Sequence, residues 1–156
     1  MWLVGVADTT FARVDLGGIA ARTVRDYEEH AKVLRYTVPG IKDLPVAAKR
    51  LFGDGCDIVI ALGMPGAMPI DKQCAHEAST AIQAVQVAEG KHIIEVFVHE
   101  DESKDEKELM EIARERARKH ALNALALLRS RTALTAAAGS GRRQGKPDAG
   151  PISAVH

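Results

Sequence analysis

Aromatic side chains are scarce in this chain of 156 residues: one Trp, two Tyr and three Phe, 4% of the total. A pocket that stacks a flat ligand must use most of them or borrow some from a neighbouring copy. Net charge is absent too, because 21 Lys and Arg balance 21 Asp and Glu. That removes the global electrostatic argument for nucleic acid or an anionic membrane surface as partner. It also removes charge repulsion as a guard against self-association. The two cysteines, Cys56 and Cys74, are spaced neither as a metal-ligand pair nor as a redox Cys-x-x-Cys. No apolar run reaches the ~18 residues that a membrane span requires. The first apolar stretch, Trp2 to Ala7, has no basic segment before it and is interrupted by Asp8, unlike a signal peptide. A cytoplasmic protein with reduced thiols is expected. GxGxxG, Walker A, GxSxG and HExxH are all missing, so dinucleotide, nucleoside triphosphate, serine hydrolase and zincin readings lose their usual support. No metal site is expected.

What is present is a core and an alternation. Apolar residues make up 46% of the chain, enough for one domain over residues 1–156. Strands are expected at Trp2–Ala7, Lys32–Val38, Asp57–Leu62 and Ile93–Val98, the last two as continuous apolar runs that suit burial on both faces. Helical patterns lie between them. One runs from Leu16 to His30, weakened by Gly17-Gly18. Another starts at Pro45 and continues to Phe52. A third spans Asp71 to Ala88 and stops at Gly90. Ser103 with Glu106 reads as a capping box opening the last helix. Its apolar positions Leu109, Ile112, Ala113, Ala117, Ala121, Ala124, Leu125 and Leu128 keep the 3.6 period. The order β-α-β-α-β-α-β-α predicts right-handed crossovers and a four-stranded parallel sheet covered by helices. A sheet this small is expected to bury an edge or face against another subunit. Residues 139–156 form a basic tail rich in Gly and Pro, which composition alone leaves open between order and disorder.

Ligands of open parallel sheets bind beyond the carboxyl ends of the strands, which here carry several candidates. Phe11, after Thr9-Thr10, is either a staple for the first helix or a platform for a planar ring, and the residues alone favour the staple. The segment Val38 to Pro45 brings Pro39, Gly40 and Asp43 before a helix start, where Asp43 reads first as an N-cap. Glu95 lies inside an apolar strand, a costly place for a carboxylate unless it is paired or functional. His99-Glu100-Asp101 ends that strand, and His76 lies on the third helix. Both histidines are candidate proton carriers, and both are as readily surface groups.

These residues resemble a family. Val38-Pro39-Gly40 with Leu44-Pro45-Val46-Ala47 looks like the second-strand loop of lumazine synthases, and Asp57 to Gly63 matches their third strand. The archaeal riboflavin synthases, relatives of the lumazine synthases, are the closer likeness. It is carried by residues 8–15, 37–47, Ala61-Leu62-Gly63-Met64-Pro65-Gly66, Cys74 to Ser79, Ile93 to Glu102, Arg143-Gln144-Gly145 and 148–151. The resemblance implies a three-layer α/β/α, flavodoxin-like fold and a homopentamer with active sites between adjacent subunits. The implied reaction is a dismutation of two 6,7-dimethyl-8-ribityllumazine molecules to riboflavin and 5-amino-6-(D-ribitylamino)uracil. It needs no organic cofactor, because the lumazine stabilises the anion at its own C7 methyl. Alternatives on the same scaffold are lumazine synthase and a non-catalytic lumazine- or flavin-binding protein. The phosphate loop of lumazine synthases is not recognisable in Pro65 to Asp71, and the position of their catalytic His falls near Ile70, so that role does not carry over. The resemblance makes Thr10, Phe11, Pro39, Gly40, Asp43, Met64 and Pro65 the expected substrate-binding residues. It makes Glu95 the first choice for proton transfer, ahead of His99 and His76, and it orders Arg143 and Gln144 in the tail.

Overall fold

The computed structural model describes residues 1–143 and 146–152. Four strands, β1 (Trp2–Thr9), β2 (Ala31–Val38), β3 (Ile58–Gly63) and β4 (Ile93–Phe97), form one sheet in the order β2-β1-β3-β4. Every pairing is parallel. The helices are α1 (Leu16–Tyr27), α2 (Leu44–Gly53), α3 (Pro69–Glu89) and α4 (Glu106–Arg129). Strand alternation divides the core. Val4, Val6, Ile58, Ile60 and Leu62 face α1 and α4, whereas Ala7, Val59 and Ala61 face α2 and α3. The result is the expected α/β/α sandwich.

Central and edge strands differ as their sequences do. β3 is buried at all six residues, and β1 from Val4 to Thr9. β4 is not the fully buried strand that its apolar run suggests. Only Ile93 and Val96 are buried in it, because among the described residues no fifth strand pairs with its outer edge. The sheet therefore ends on Glu95, whose Cα pairs with that of Ala61, so its side chain points to the α3 side.

Two expected helix starts also differ in detail. Gly17-Gly18 does not weaken α1. A Cβ on Gly17 would collide with the Asp8 carboxylate, and one on Gly18 with Asp15, so both glycines admit the polar groups that anchor the helix. Asp15 caps it, accepting from the Gly18 N–H at 3.0 Å. At α4 the Ser103–Glu106 capping box is not formed. Asp105 is the cap and accepts from the Lys107 N–H at 3.0 Å, while Glu106 turns outward to pair with Arg13. The Ser103 hydroxyl is instead spent locally, accepting the Asp105 N–H at 3.1 Å.

The Ala-rich stripe of α4 packs as its period predicts, with Leu109, Ala113, Ala117, Ala121, Ala124 and Leu125 all buried. α3 ends at Gly90 in the left-handed region, φ 64°, the conformation that glycine adopts most cheaply. In the tail, Arg143 N–H bonds the Asp148 carboxylate at 2.9 Å, and Ala149 N–H bonds the Gly141 carbonyl at 2.9 Å. Residues 139–143 and 146–152 thus fold back on themselves, while Gln144 lies outside the described residues. Among the described residues no helix is long and apolar enough to cross a membrane.

Candidate active site

The sheet order reverses between β1 and β3, and the loops after those strands and after β2 enclose a cleft of about 560 Å³. Open parallel sheets bind ligands at such a reversal. Phe11, Pro39, Gly40, Asp43, Met64 and Pro65 all line this strand-end cleft. The loops are stitched by backbone bonds, Thr10 N–H to the Val38 carbonyl at 2.9 Å and Phe11 N–H to the Pro39 carbonyl at 3.1 Å. Thr10 is exposed and outside the lining, and its hydroxyl donates to the Pro39 carbonyl at 3.3 Å. The staple reading of Phe11 fails, because its ring is 72% exposed. The ring lies over Gly40, where a Cβ would come within 3.1 Å of it. Exposed apolar surface of this size at a cleft mouth leaves a ring face open to a planar ligand. Asp43 holds the N-cap position of α2, but its side chain makes no capping bond. Its carboxylate is left to the cleft.

A polar clasp holds the Phe11 loop from below. Asp8, 4% exposed at the end of β1, accepts from Arg35 at 2.5 and 3.2 Å and from the Thr37 hydroxyl at 2.6 Å. Arg35 also reaches Asp15 at 2.5 Å. Both oxygens of the buried carboxylate are satisfied, so the clasp is stable rather than costly.

The three proton-transfer candidates lie elsewhere. Glu95, His76 and His99 come together in a second cleft of about 450 Å³ against the free edge of β4. Among the described residues no side chain lines both clefts. The wall between them contains the Lys72–Asp101 ion pair, 2.6 Å, and the bond from Glu100 N–H to the Pro65 carbonyl, 2.9 Å. In the edge cleft burial holds the Glu95 carboxyl above its ordinary value, and the Ser79 hydroxyl, donating to it, partly offsets this. Burial and the Lys72 charge lower His99, whose Nδ1 is buried without a hydrogen-bond partner. His76 is exposed on the rim. The cleft thus holds a carboxyl disposed to keep its proton and an imidazole disposed to lose one, a combination suited to proton exchange.

Three further residues of this cleft were not among the candidates. Ser79 follows His76 by three positions, one helical step. Arg116 and His120 flank the buried alanines of α4, spaced one turn apart. That spacing beside an apolar stripe was the available signal. Arg116 grips Glu102 with two nitrogens, each at 2.6 Å, and the Phe97 carbonyl at 2.8 Å. Burial lowers His120 to about 4, with the Arg116 charge adding to the effect. Ile70 is exposed on the first turn of α3 and lines neither cleft. Among the described residues no three His, Cys, Asp or Glu converge as a metal-binding group.

The sequence matches known proteins over almost its full length. A riboflavin synthase of Methanothermobacter thermautotrophicus is 53% identical over 150 residues, covering 96% of this chain and 98% of that relative. A riboflavin synthase of Aeropyrum pernix is 53% identical, covering 96% and 97%, and one of Archaeoglobus fulgidus is 48% identical with the same coverage. The profile of the 6,7-dimethyl-8-ribityllumazine synthase family matches residues 4–132, a span that contains β2, β3, β4, all four helices and all of β1 from Val4 onward. With that span and this sheet order, the chain belongs to the 6,7-dimethyl-8-ribityllumazine synthase family.

Proposed function

We propose that this chain is an enzyme of riboflavin biosynthesis, a riboflavin synthase. It takes two molecules of 6,7-dimethyl-8-ribityllumazine and transfers a four-carbon unit between them, a transferase reaction giving riboflavin and 5-amino-6-(D-ribitylamino)uracil. The observation that carries this reading is the 53% identity over 150 residues to a protein named riboflavin synthase. The geometry supports it in two ways. The strand-end cleft offers one exposed ring, Phe11, and polar loop atoms suited to a ribityl chain. The edge cleft offers acid–base groups but no stacking platform other than Phe97.

Two lumazines must stack face to face, and a single protomer keeps its ring platform and its proton-transfer groups apart. The reading therefore assembles each active site from the strand-end cleft of one protomer and the β4 edge of the next. A head-to-tail contact of this kind closes as a ring, and the ring we propose is a homopentamer. Proximity of the two substrates and proton transfer are the main catalytic contributions. Glu95 is the proposed proton carrier at the C7 methyl, with His99 accepting and returning protons beside it. No organic cofactor takes part in the proposed reaction.

The test is incubation of the purified protein with 6,7-dimethyl-8-ribityllumazine alone. Riboflavin and the pyrimidine should form in equal amounts. Conversion that starts only when a four-carbon sugar phosphate and the pyrimidine are supplied would make it a lumazine synthase. Binding without conversion would make it a carrier.

A further inference from the structure

The first turn of α3 opens onto the strand-end cleft and has the polarity that attracts phosphate groups. Here that position is already taken. Asp71, at the third position of the helix, turns its carboxylate back and accepts the Met68 N–H at 3.1 Å. Pro69, at the first position, has no N–H to offer. Gly66 packs flat against the same carboxylate, since a Cβ there would collide with it. The loop from Pro65 to Pro69 is therefore folded around an internal anion.

The rest of the cleft has the same sign. Asp43 and Glu100 line it with Asp71. Among the described residues Lys42 is the one cation in the lining, and its Nζ is committed to Glu77 at 2.8 Å. A phosphate entering this cleft meets three carboxylates, with the Met68 N–H already given to Asp71 and no N–H on Pro69. A neutral polyol finds acceptors for its hydroxyls.

We infer that Asp71 is a specificity-determining residue, whose carboxylate makes the cleft admit neutral polyhydroxylated ring ligands and reject their phosphate esters. This rests on the lumazine- and flavin-binding reading above. It separates riboflavin from its own phosphate ester, FMN, so that a downstream phosphorylating reaction would not return an inhibitor to this cleft.

The test is titration of the assembled wild-type protein with riboflavin and with FMN at low salt, read by quenching of flavin fluorescence. A dianion about 5 Å from one carboxylate in a water-filled cleft is disfavoured about tenfold, so riboflavin should bind at least about tenfold more tightly. Asp71→Asn keeps an acceptor for the Met68 N–H and should shrink that ratio severalfold by letting FMN bind more tightly. Raising ionic strength from about 0.01 M to about 0.15 M cuts the Debye length from about 30 to about 8 Å and should shrink the wild-type ratio without any substitution. Equal binding of FMN and riboflavin to the wild type, or a ratio that neither the substitution nor salt changes, overturns the inference. Failure of both flavins to bind overturns the ligand reading of the cleft and this inference with it.

Discussion

The two clefts are built from different parts of the fold and carry different chemistry. The strand-end cleft is made of loops on a buried central pair of strands, and it presents a ring, backbone carbonyls and fixed carboxylates. The edge cleft is made of regular elements, with β4, α3 and α4 each adding titratable side chains. The proposed function puts binding where backbone shape can be set by Gly and Pro. It puts proton chemistry where partial burial shifts the groups, Glu95 upward and His99 downward. On the proposed function neither half is sufficient alone, and this is why the β4 edge matters.

The sharpest way to separate the halves is Glu95→Gln. It removes the acid–base group but keeps shape and the Ser79 contact, so turnover should fall about 10²–10⁴-fold. Lumazine binding, measured by equilibrium titration, should change less than about threefold. A similar loss in binding would place Glu95 in recognition and merge the two roles.

Arg116→Met attacks the frame of the edge cleft. It leaves Glu102 and the Phe97 carbonyl without their shared donor, and breaking a buried ion pair costs about 3–5 kcal/mol. Denaturant titration should show that loss, with the strand-end cleft still able to bind flavin in the folded fraction.

His120 gives the edge cleft an acid sensitivity. Its folded value near 4 lies below the ordinary 6.5, so the unfolded chain binds more protons between those values. The stability that neutral His120 contributes is complete above about pH 6.5 and is lost as pH falls towards 4. His120→Gln should flatten the pH dependence of the unfolding free energy in that window by about 2 kcal/mol.

The smallest effect belongs to Phe11→Ala. The ring is exposed, so stability should move by less than about 0.5 kcal/mol. Loss of a stacking partner worth about 0.5–1.5 kcal/mol should raise the KM for the lumazine up to about tenfold, with kcat less affected.

Much of this was legible in the sequence where local rules and burial agree. The central strands β1 and β3, the Gly90 stop and the α4 stripe follow directly from apolar runs, a left-handed cap and a 3.6 period. The exceptions have tertiary causes. Gly17-Gly18 reads as a weak helix start until Asp8 and Asp15 are seen to need the space. Ile93 to Phe97 reads as an interior strand because apolar composition does not distinguish a central strand from an edge strand. Phe11 reads as a staple because exposure of a ring is decided by the Gly40 loop, 29 residues away in the chain. The split of the candidates into two clefts was also hidden. His99 and Glu100 are adjacent in sequence, yet they face opposite sides of the wall formed by Lys72 and Asp101.

The central claim is that ring binding and proton transfer come from different protomers. It is tested by co-expressing two inactive chains with different tags and isolating the mixed assemblies. One is Glu95→Gln. The other is Gly40→Trp, which fills the strand-end cleft and displaces Phe11. In a ring with head-to-tail sites, random mixing pairs an intact strand-end cleft with an intact β4 edge at roughly a quarter of the sites, so roughly a quarter of wild-type riboflavin formation should return. Mixed assemblies no more active than either variant alone would contradict a shared site.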